Sequence, residues 1–110
     1  MSVINQVQLV APQAMTGSDA AYYTAAAGTS VKIGRAIFCN TDTLVHTLTM
    51  NIATSTSTAA NTLISARSLA PGETYVSSEL AGQVIPPGSI LRGLSATTVS
   101  IAVSGITIVG

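Results

Sequence analysis

The chain has 110 residues, a length that one hydrophobic core can organise, so we expect a single domain spanning residues 1–110. Hydrophobic residues make up 47% of it and charged residues only 7%, with four basic and four acidic side chains cancelling, whereas ordinary soluble domains carry about 25% charged residues. Nucleic acid as a partner is excluded because it requires clustered Lys and Arg, and a membrane helix because no apolar run approaches roughly 18 residues.

The first predicted strand lies at the N-terminus, where apolar residues alternate with polar ones at Val3, Val7 and Leu9. This alternation is typical of a strand. We predict that these three residues add as a strand to a neighbouring subunit, with residues 1–19 as a possible N-terminal arm. The segment lacks the basic flank and long apolar run of a signal peptide, so we expect the protein to be made in a cytoplasm.

Residues 11–30 allow two interpretations. Ser18 is placed to cap a short Ala-rich helix that ends before Gly28. We favour instead an extended segment at "AAYYTA", residues 20–25.

Residues 31–52 predict two strands. "VKIGRAIFC" holds Val31, Ile33, Ile37 and Cys39 in one phase, and "LVHTLTMNI" alternates from Leu44 to Ile52. Between them "NTDT" supplies Asn and Asp, which close turns through their side chains. We therefore predict a hairpin, with Cys39 in the core.

The stretch "ATSTSTAAN", residues 53–61, is small and polar and predicts a loop. Loops carry contacts more often than the elements they join. Two readings stay open for this one, a mobile loop or a contact with a neighbour, and the contact residues would be Thr54, Ser55, Thr56 and Ser57.

The remainder predicts further short strands around two Pro-Gly turns, "LAPGETY" at residues 69–75 and "IPPGSIL" at residues 85–91. Pro followed by Gly suits a type II turn. The strands are "NTLISARSL", "ETYVS", "LAGQVI" and "SILRGL". The last strand, "TTVSIAVSGITIV", changes phase after Ser104, which predicts a β-bulge at Gly105.

Seven or eight short strands with turns at this spacing indicate an all-β chain, an antiparallel β-sandwich of either jelly-roll or immunoglobulin-like topology. The alternation alone does not separate the two.

The sequence contains no convincing site for chemistry. His46 is the only histidine and Cys39 the only cysteine, and no spacing of a metal site or phosphate loop is present. We therefore predict no catalytic, metal-binding or cofactor-binding residues and no enzymatic activity.

The surface is uncharged but rich in hydrogen-bonding groups, since Ser and Thr number 28. A surface without net charge is poorly protected against association. Two readings stay open, a stable neutral domain or a surface covered by copies of itself or a partner.

Four stretches together, "YYTAAAGTSVKIGRAIFCNTDTLVHTLTMNIA", "NTLISARSLAPGETY", "ELAGQVIPPGSIL" and "VSIAVSGITIV", resemble small structural proteins of tailed bacteriophages and prophages. The resemblance covers roughly residues 20–109. It implies a non-enzymatic virion protein with a β-sandwich fold, assembled in the host bacterial cytoplasm.

The leading role that it implies is a capsid cement or decoration protein, a dimer or trimer bound to the major capsid protein or other virion proteins. The alternative is a neck or tail accessory protein that binds other tail subunits or host glycan.

Overall fold

Nine strands and one turn of 3-10 helix form the described part of the chain, residues 3–109 of a computed structural model. These residues contain no α-helix. The elements in chain order are β1 (Val3–Ala14), β2 (Ala20–Thr24), β3 (Thr29–Asn40), β4 (His46–Ala53), the 3-10 helix (Ala59–Asn61), β5 (Thr62–Leu69), β6 (Thr74–Val76), β7 (Val84–Ile85), β8 (Ile90–Leu94) and β9 (Val99–Val109).

The strands form two antiparallel sheets. In the first sheet the order is β1-β9-β3-β6, with β7 also paired to β3, and in the second it is β2-β8-β4-β5. The pairs are nested along the chain: β4 with β5, β3 with β6 and β7, β2 with β8, and β1 with β9. Nested pairing of this kind is a hairpin rolled up on itself, the jelly roll. The predicted all-β sandwich is confirmed, and the topology decides against the immunoglobulin-like alternative.

The core lies between the two sheets and is aliphatic, with one buried aromatic stack. The Phe38 ring stacks on the Tyr75 ring with centroids 6.3 Å apart. Around this pair the inner faces, those that face the other sheet, contribute fully buried side chains. They include Ile33, Leu48, Met50, Leu69, Leu80, Ile85, Leu91 and Ile101.

The predicted hairpin between residues 31 and 52 is wrong. β3 pairs with β9, β6 and β7, whereas β4 pairs with β5 and β8, so the two strands belong to different sheets. The turn between them carries the chain from one sheet across to the other. Turn residues specify where the chain reverses, but the choice of pairing partner depends on contacts distant in sequence.

Both predicted Pro-Gly turns are present. Gly72 and Gly88 have φ of 73° and 81°, and each turn is closed by a backbone hydrogen bond, from Glu73 to the Ala70 carbonyl and from Ser89 to the Pro86 carbonyl. Positive φ at the third position is what a type II turn requires.

Other parts of the predicted secondary structure differ in detail. The favoured extended segment is confirmed, because residues 20–24 form β2. The predicted strand "LAGQVI" is wrong in its first half. A turn closed between Gln83 and the Leu80 carbonyl occupies it, with Gly82 at φ 83°, and only Val84–Ile85 pair.

The predicted bulge at Gly105 is also wrong in its place. β9 runs without an extra residue, and the irregularities lie in its two neighbours. They are at Leu9 and between Val10 and Gln13 in β1, and at Gly34 in β3. After Gly34 the inner face of β3 passes to Ala36 and Phe38. Cys39 therefore lies on the opposite face, half-buried, and not in the core as predicted.

Two glycines are required by close approach of strands. A methyl group on Gly93 in β8 would overlap the Met50 sulfur and lie 2.7 Å from the Thr49 carbonyl oxygen. A methyl group on Gly105 would overlap the Lys32 carbonyl oxygen and lie 3.1 Å from Leu9 Cδ1. Backbone atoms cannot move aside as flexible side chains do, so both strands need glycine there.

We predict that Gly93→Ala lowers the free energy of unfolding by about 1–3 kcal/mol, the usual cost of overpacking a core. Gly17→Ala is the matched control, because nothing lies within 4 Å of its added methyl group, and it should change stability by less than about 0.5 kcal/mol. Urea unfolding of the two variants measures the difference. Equal stabilities would contradict the close approach of β8 and β4.

Candidate interaction surfaces

The outer face of the first sheet carries a group of apolar side chains at one end. Ile108 lies opposite Ile4, and Ile106 lies opposite Lys32, which in turn lies opposite Val84. Residues directly opposite in an antiparallel pair project from the same face. Ile4 is 64% exposed and Val84 52% exposed. We call Ile4, Val84, Ile106 and Ile108 the outer patch.

The outer patch exists because β9 keeps its alternation. Val99, Ile101 and Val103 face inward and are buried. With no extra residue after them, Ile106 and Ile108 must face outward. The bulge expected at Gly105 would have turned these isoleucines inward, so the sequence-based reasoning missed the patch. The signal that locates the bulge in β3 is Gly34, whose missing side chain lets the strand bend.

A shallow groove adjoins the outer patch. It has a volume of about 420 Å³ and is lined by the amides of Gln6 and Gln8, by Ser104, and by backbone at Gly34 and Gly105. Charged side chains are absent from its lining. The groove offers hydrogen-bonding groups beside an apolar surface and no strong field.

The free edge of the first sheet is β1. Within residues 3–109 no strand pairs with its second side, and its sequence, VINQVQLVAPQA, contains no charged residue. From Val3 to Gln8 its pairing with β9 is uninterrupted. Ile4, Asn5 and Gln6 are all exposed. An unprotected edge of this length is a template for further strand pairing.

The structure places the predicted N-terminal contact residues in this strand. Val3 pairs with Val109 of β9 through its backbone. Val7 packs against the core and Leu9 is 7% exposed within it. The side chains of Val7 and Leu9 thus contact the chain's own core, and the groups of this segment that face outward are its backbone edge and its neighbours Ile4 and Gln6.

The predicted contact loop lies on the second sheet, away from β1. Thr54, Ser55 and Thr56 are exposed. Ser57 is half-buried and donates a hydrogen bond to Asp19 at 2.9 Å. Asp19 also pairs with Arg92 of β8, at 3.1 Å. The loop is therefore held against the outer face of the second sheet.

A buried amide anchors the other end of this loop. Asn51 of β4 is 2% exposed, and its side-chain nitrogen contacts the Thr58 carbonyl at 3.2 Å, Asn61 Oδ1 at 2.9 Å and the Thr62 hydroxyl at 2.8 Å. Satisfied polar groups make a loop rigid. Its exposed hydroxyls belong to an ordered surface, beside a groove of about 340 Å³.

The turn between β3 and β4 presents two exposed apolar residues, Leu44 at 64% and Val45 at 58%. Its base is the buried Asn40, whose side-chain nitrogen donates to the Leu44 and Leu69 carbonyls at 2.9 and 3.0 Å. Asn40 thereby ties this turn to the end of β5.

Asp42 and His46 are hydrogen-bonded across the same turn, with Asp42 Oδ2 2.7 Å from His46 Nε2. The hydrogen bond from His46, followed by one from the Thr43 backbone, lowers the pKa of Asp42 below its usual value. Among residues 3–109, no group of three His, Cys, Asp or Glu side chains is arranged to hold a metal ion.

Arg67, Tyr75 and Glu79 close the side of the sandwich between β5 and β6. The Arg67 guanidinium carbon lies 3.9 Å from the centre of the Tyr75 ring, and the Tyr75 hydroxyl donates to the Glu79 carboxylate. Burial and then Glu79 raise the pKa of Tyr75, while the hydrogen bond from Tyr75 lowers the pKa of Glu79. This cluster joins the two sheets.

Within residues 3–109 no helix has the length and apolar character needed to cross a membrane.

Comparison with known proteins identifies one structure that shows the fold and a second with a lower score. No protein-family model matches the chain, and no curated protein sequence does. A chain in the structure of infectious bursal disease virus, Gx strain, superimposes with a TM-score of 0.55 at 12% identity, over 98% of this chain and 32% of that one. A chain in the crystal structure of the infectious bursal disease virus VP2 subviral particle gives 0.48 at 19% identity, over 98% and 32%. The chain thus spans about a third of the length of these two chains, and the first likeness shows a shared jelly-roll fold.

We predict that Asp42→Asn lowers the free energy of unfolding near neutral pH and has no effect in strong acid. Because the folded-state pKa of Asp42 is lowered, the stabilisation is present above the unfolded value of about 3.9 and is lost as pH falls through the folded value. Urea unfolding at about pH 7 and about pH 2 measures the change.

The control is Thr97→Asn, an exposed substitution in the neighbouring loop that adds no titrating group. Its effect should be the same at both pH values. If the deficit of Asp42→Asn were also the same at both, the ionised Asp42 carboxylate would not be its cause.

Proposed function

We propose that this protein is a non-enzymatic structural component of a virus particle, built to assemble with copies of itself and with other virion proteins. The observation that carries the proposal is the surface of a jelly roll with few charged residues and no net charge, whose longest edge strand and adjoining outer patch are left uncovered. Such a surface is stabilised when a neighbour covers it.

The fold shared with a chain of infectious bursal disease virus supports the proposal. A shared fold does not by itself imply function. The support lies in its agreement with the surface: low charge, exposed Ile4 and Val84, and a groove lined by amides and hydroxyls.

The finer proposal is a bacteriophage capsid cement or decoration protein, assembled onto the head in the host bacterial cytoplasm. It would bind across subunits of the major capsid protein and bury surface on both proteins. Because it binds the assembled state, this binding would stabilise the shell. The resemblance of residues 20–109 to small phage structural proteins supports this role. We further propose that residues 1–110 act as one domain.

The second candidate is a neck or tail accessory protein that binds other tail subunits or host glycan. The observation in its favour is the ordered loop at Thr54, Ser55 and Thr56, whose exposed hydroxyls lie beside a groove on the second sheet. Sugars are usually anchored by stacking on an aromatic ring. The lining of this groove contains no aromatic side chain.

The two candidates predict different copy numbers in purified particles. Quantitative mass spectrometry of particles from a host that carries this sequence gives the ratio of this protein to the major capsid protein. A cement protein should be present in a number close to that of capsid subunits. A small fraction of that number would favour the neck or tail, and absence from the particle would contradict the virion assignment.

A further inference from the structure

We propose that two copies of this chain join through the free edge of β1, residues 4–8, to form a two-fold symmetric dimer with a continuous sheet. The inference deepens the proposed function and rests on it for the role of this interface, whereas the interface itself follows from the strand edges of the fold.

The four edges of the two sheets are not equivalent. β6 and β7, on the far side of the first sheet, have three and two residues and are separated by a turn. In the second sheet β2 has five residues and a register shift, and β5 has a shift beside Ala66, at φ 47°, and carries Arg67. Short strands, bulges and charges are the features that protect edges.

β1 has none of these protections in its first half. It has 12 residues, no charge, and regular pairing from Val3 to Gln8, and Pro12 and the two register shifts lie further along. Alternate backbone N–H and C=O groups of such an edge point away from the sheet. They are unpaired within the described residues and available to a second strand.

A second copy of the chain fits this edge because self-pairing brings no like charges together. In a two-fold contact each residue meets the same surface on its partner, so a charged edge would repel itself. The cations on this face of the sheet, Lys32 and Arg35, are both in β3. They lie two strands from the edge and thus about 10 Å away.

The two-fold pairing also joins the outer patches. The outer faces of the two copies lie on the same side of the joined sheet only if one residue pairs with its own copy. Within residues 4–8 this residue is Asn5 or Gln6. Ile4 then lies opposite Gln6 or Gln8 of the second copy and is flanked by its own Ile108. The interface buries backbone edge and apolar side chain together, as strand addition does in peptide recognition.

The first test is the mass of the full chain in solution. Light scattering during gel filtration should give twice the 11.1 kDa of the chain. Asn5→Lys combined with Gln6→Lys places like charges opposite one another and should give 11.1 kDa. The variant should still fold and unfold cooperatively, since both side chains are exposed, but without the stabilisation that a dimer gains from its partner. Gln13→Lys, on the irregular part of the same strand, is the matched control and should remain a dimer.

The second test is cross-linking in a Cys39→Ser background. Asn5→Cys or Gln6→Cys should form a disulfide-linked dimer under mild oxidation, because opposite Cβ atoms in such a pair lie about 4.5–5.5 Å apart. Ser68→Cys, exposed on the edge strand β5, should not.

Three results would overturn the interface. They are a chain that stays monomeric at its highest soluble concentration, a dimer that survives the paired lysines, and a trimer, which a two-fold edge contact cannot build. None of these bears on whether the protein is found in virus particles, so failure of the interface and failure of the virion assignment are separable.

Discussion

The close approach of β9 to β3 at Gly105 is the constraint on which the first sheet depends. A side chain at this point would overlap the Lys32 carbonyl oxygen, so β9 can pass only with glycine. The extra residues lie in the strands on either side, at Leu9 and between Val10 and Gln13 in β1 and at Gly34 in β3, and β9 continues straight between them. The alternation of β9 is therefore preserved along all its residues.

The surface of the protein follows from this straight course. In β3 the bulge keeps both Ile33 and Phe38 in the core. They are an odd number of residues apart, so in a regular strand they would face opposite sides. In β9 no bulge compensates, and Ile106 and Ile108 emerge on the outer face next to Ile4. An apolar face, a long uncharged edge and a surface without net charge occur together on one sheet. Each alone is tolerable in a monomer, but in combination they favour association.

The fold class could be predicted from the sequence because strand alternation and turn chemistry are local. Period-two patterns identified most strands, and Pro followed by Gly identified two turns with the expected positive φ. The pairing of β3 with β9 could not be predicted, since it joins residues far apart in the chain and no local signal encodes it.

The candidate surfaces could be predicted only in part from such local patterns. Residues 3–9 and 54–57 were selected as contact segments by alternation and polarity. Their surroundings, such as the anchoring of the loop by Asn51 and Asp19, depend on the folded arrangement. The outer patch was missed because one misplaced bulge reverses every side chain beyond it.

The central claim is that association covers the edge of β1. Hydrogen exchange of the full chain, followed at low and high protein concentration, tests it most directly. We expect the amides of residues 4–8 that point away from β9 to gain protection at high concentration, while those on the edge strands β2 and β5 stay unchanged. Unchanged exchange in residues 4–8 at concentrations where the chain associates would contradict the claim.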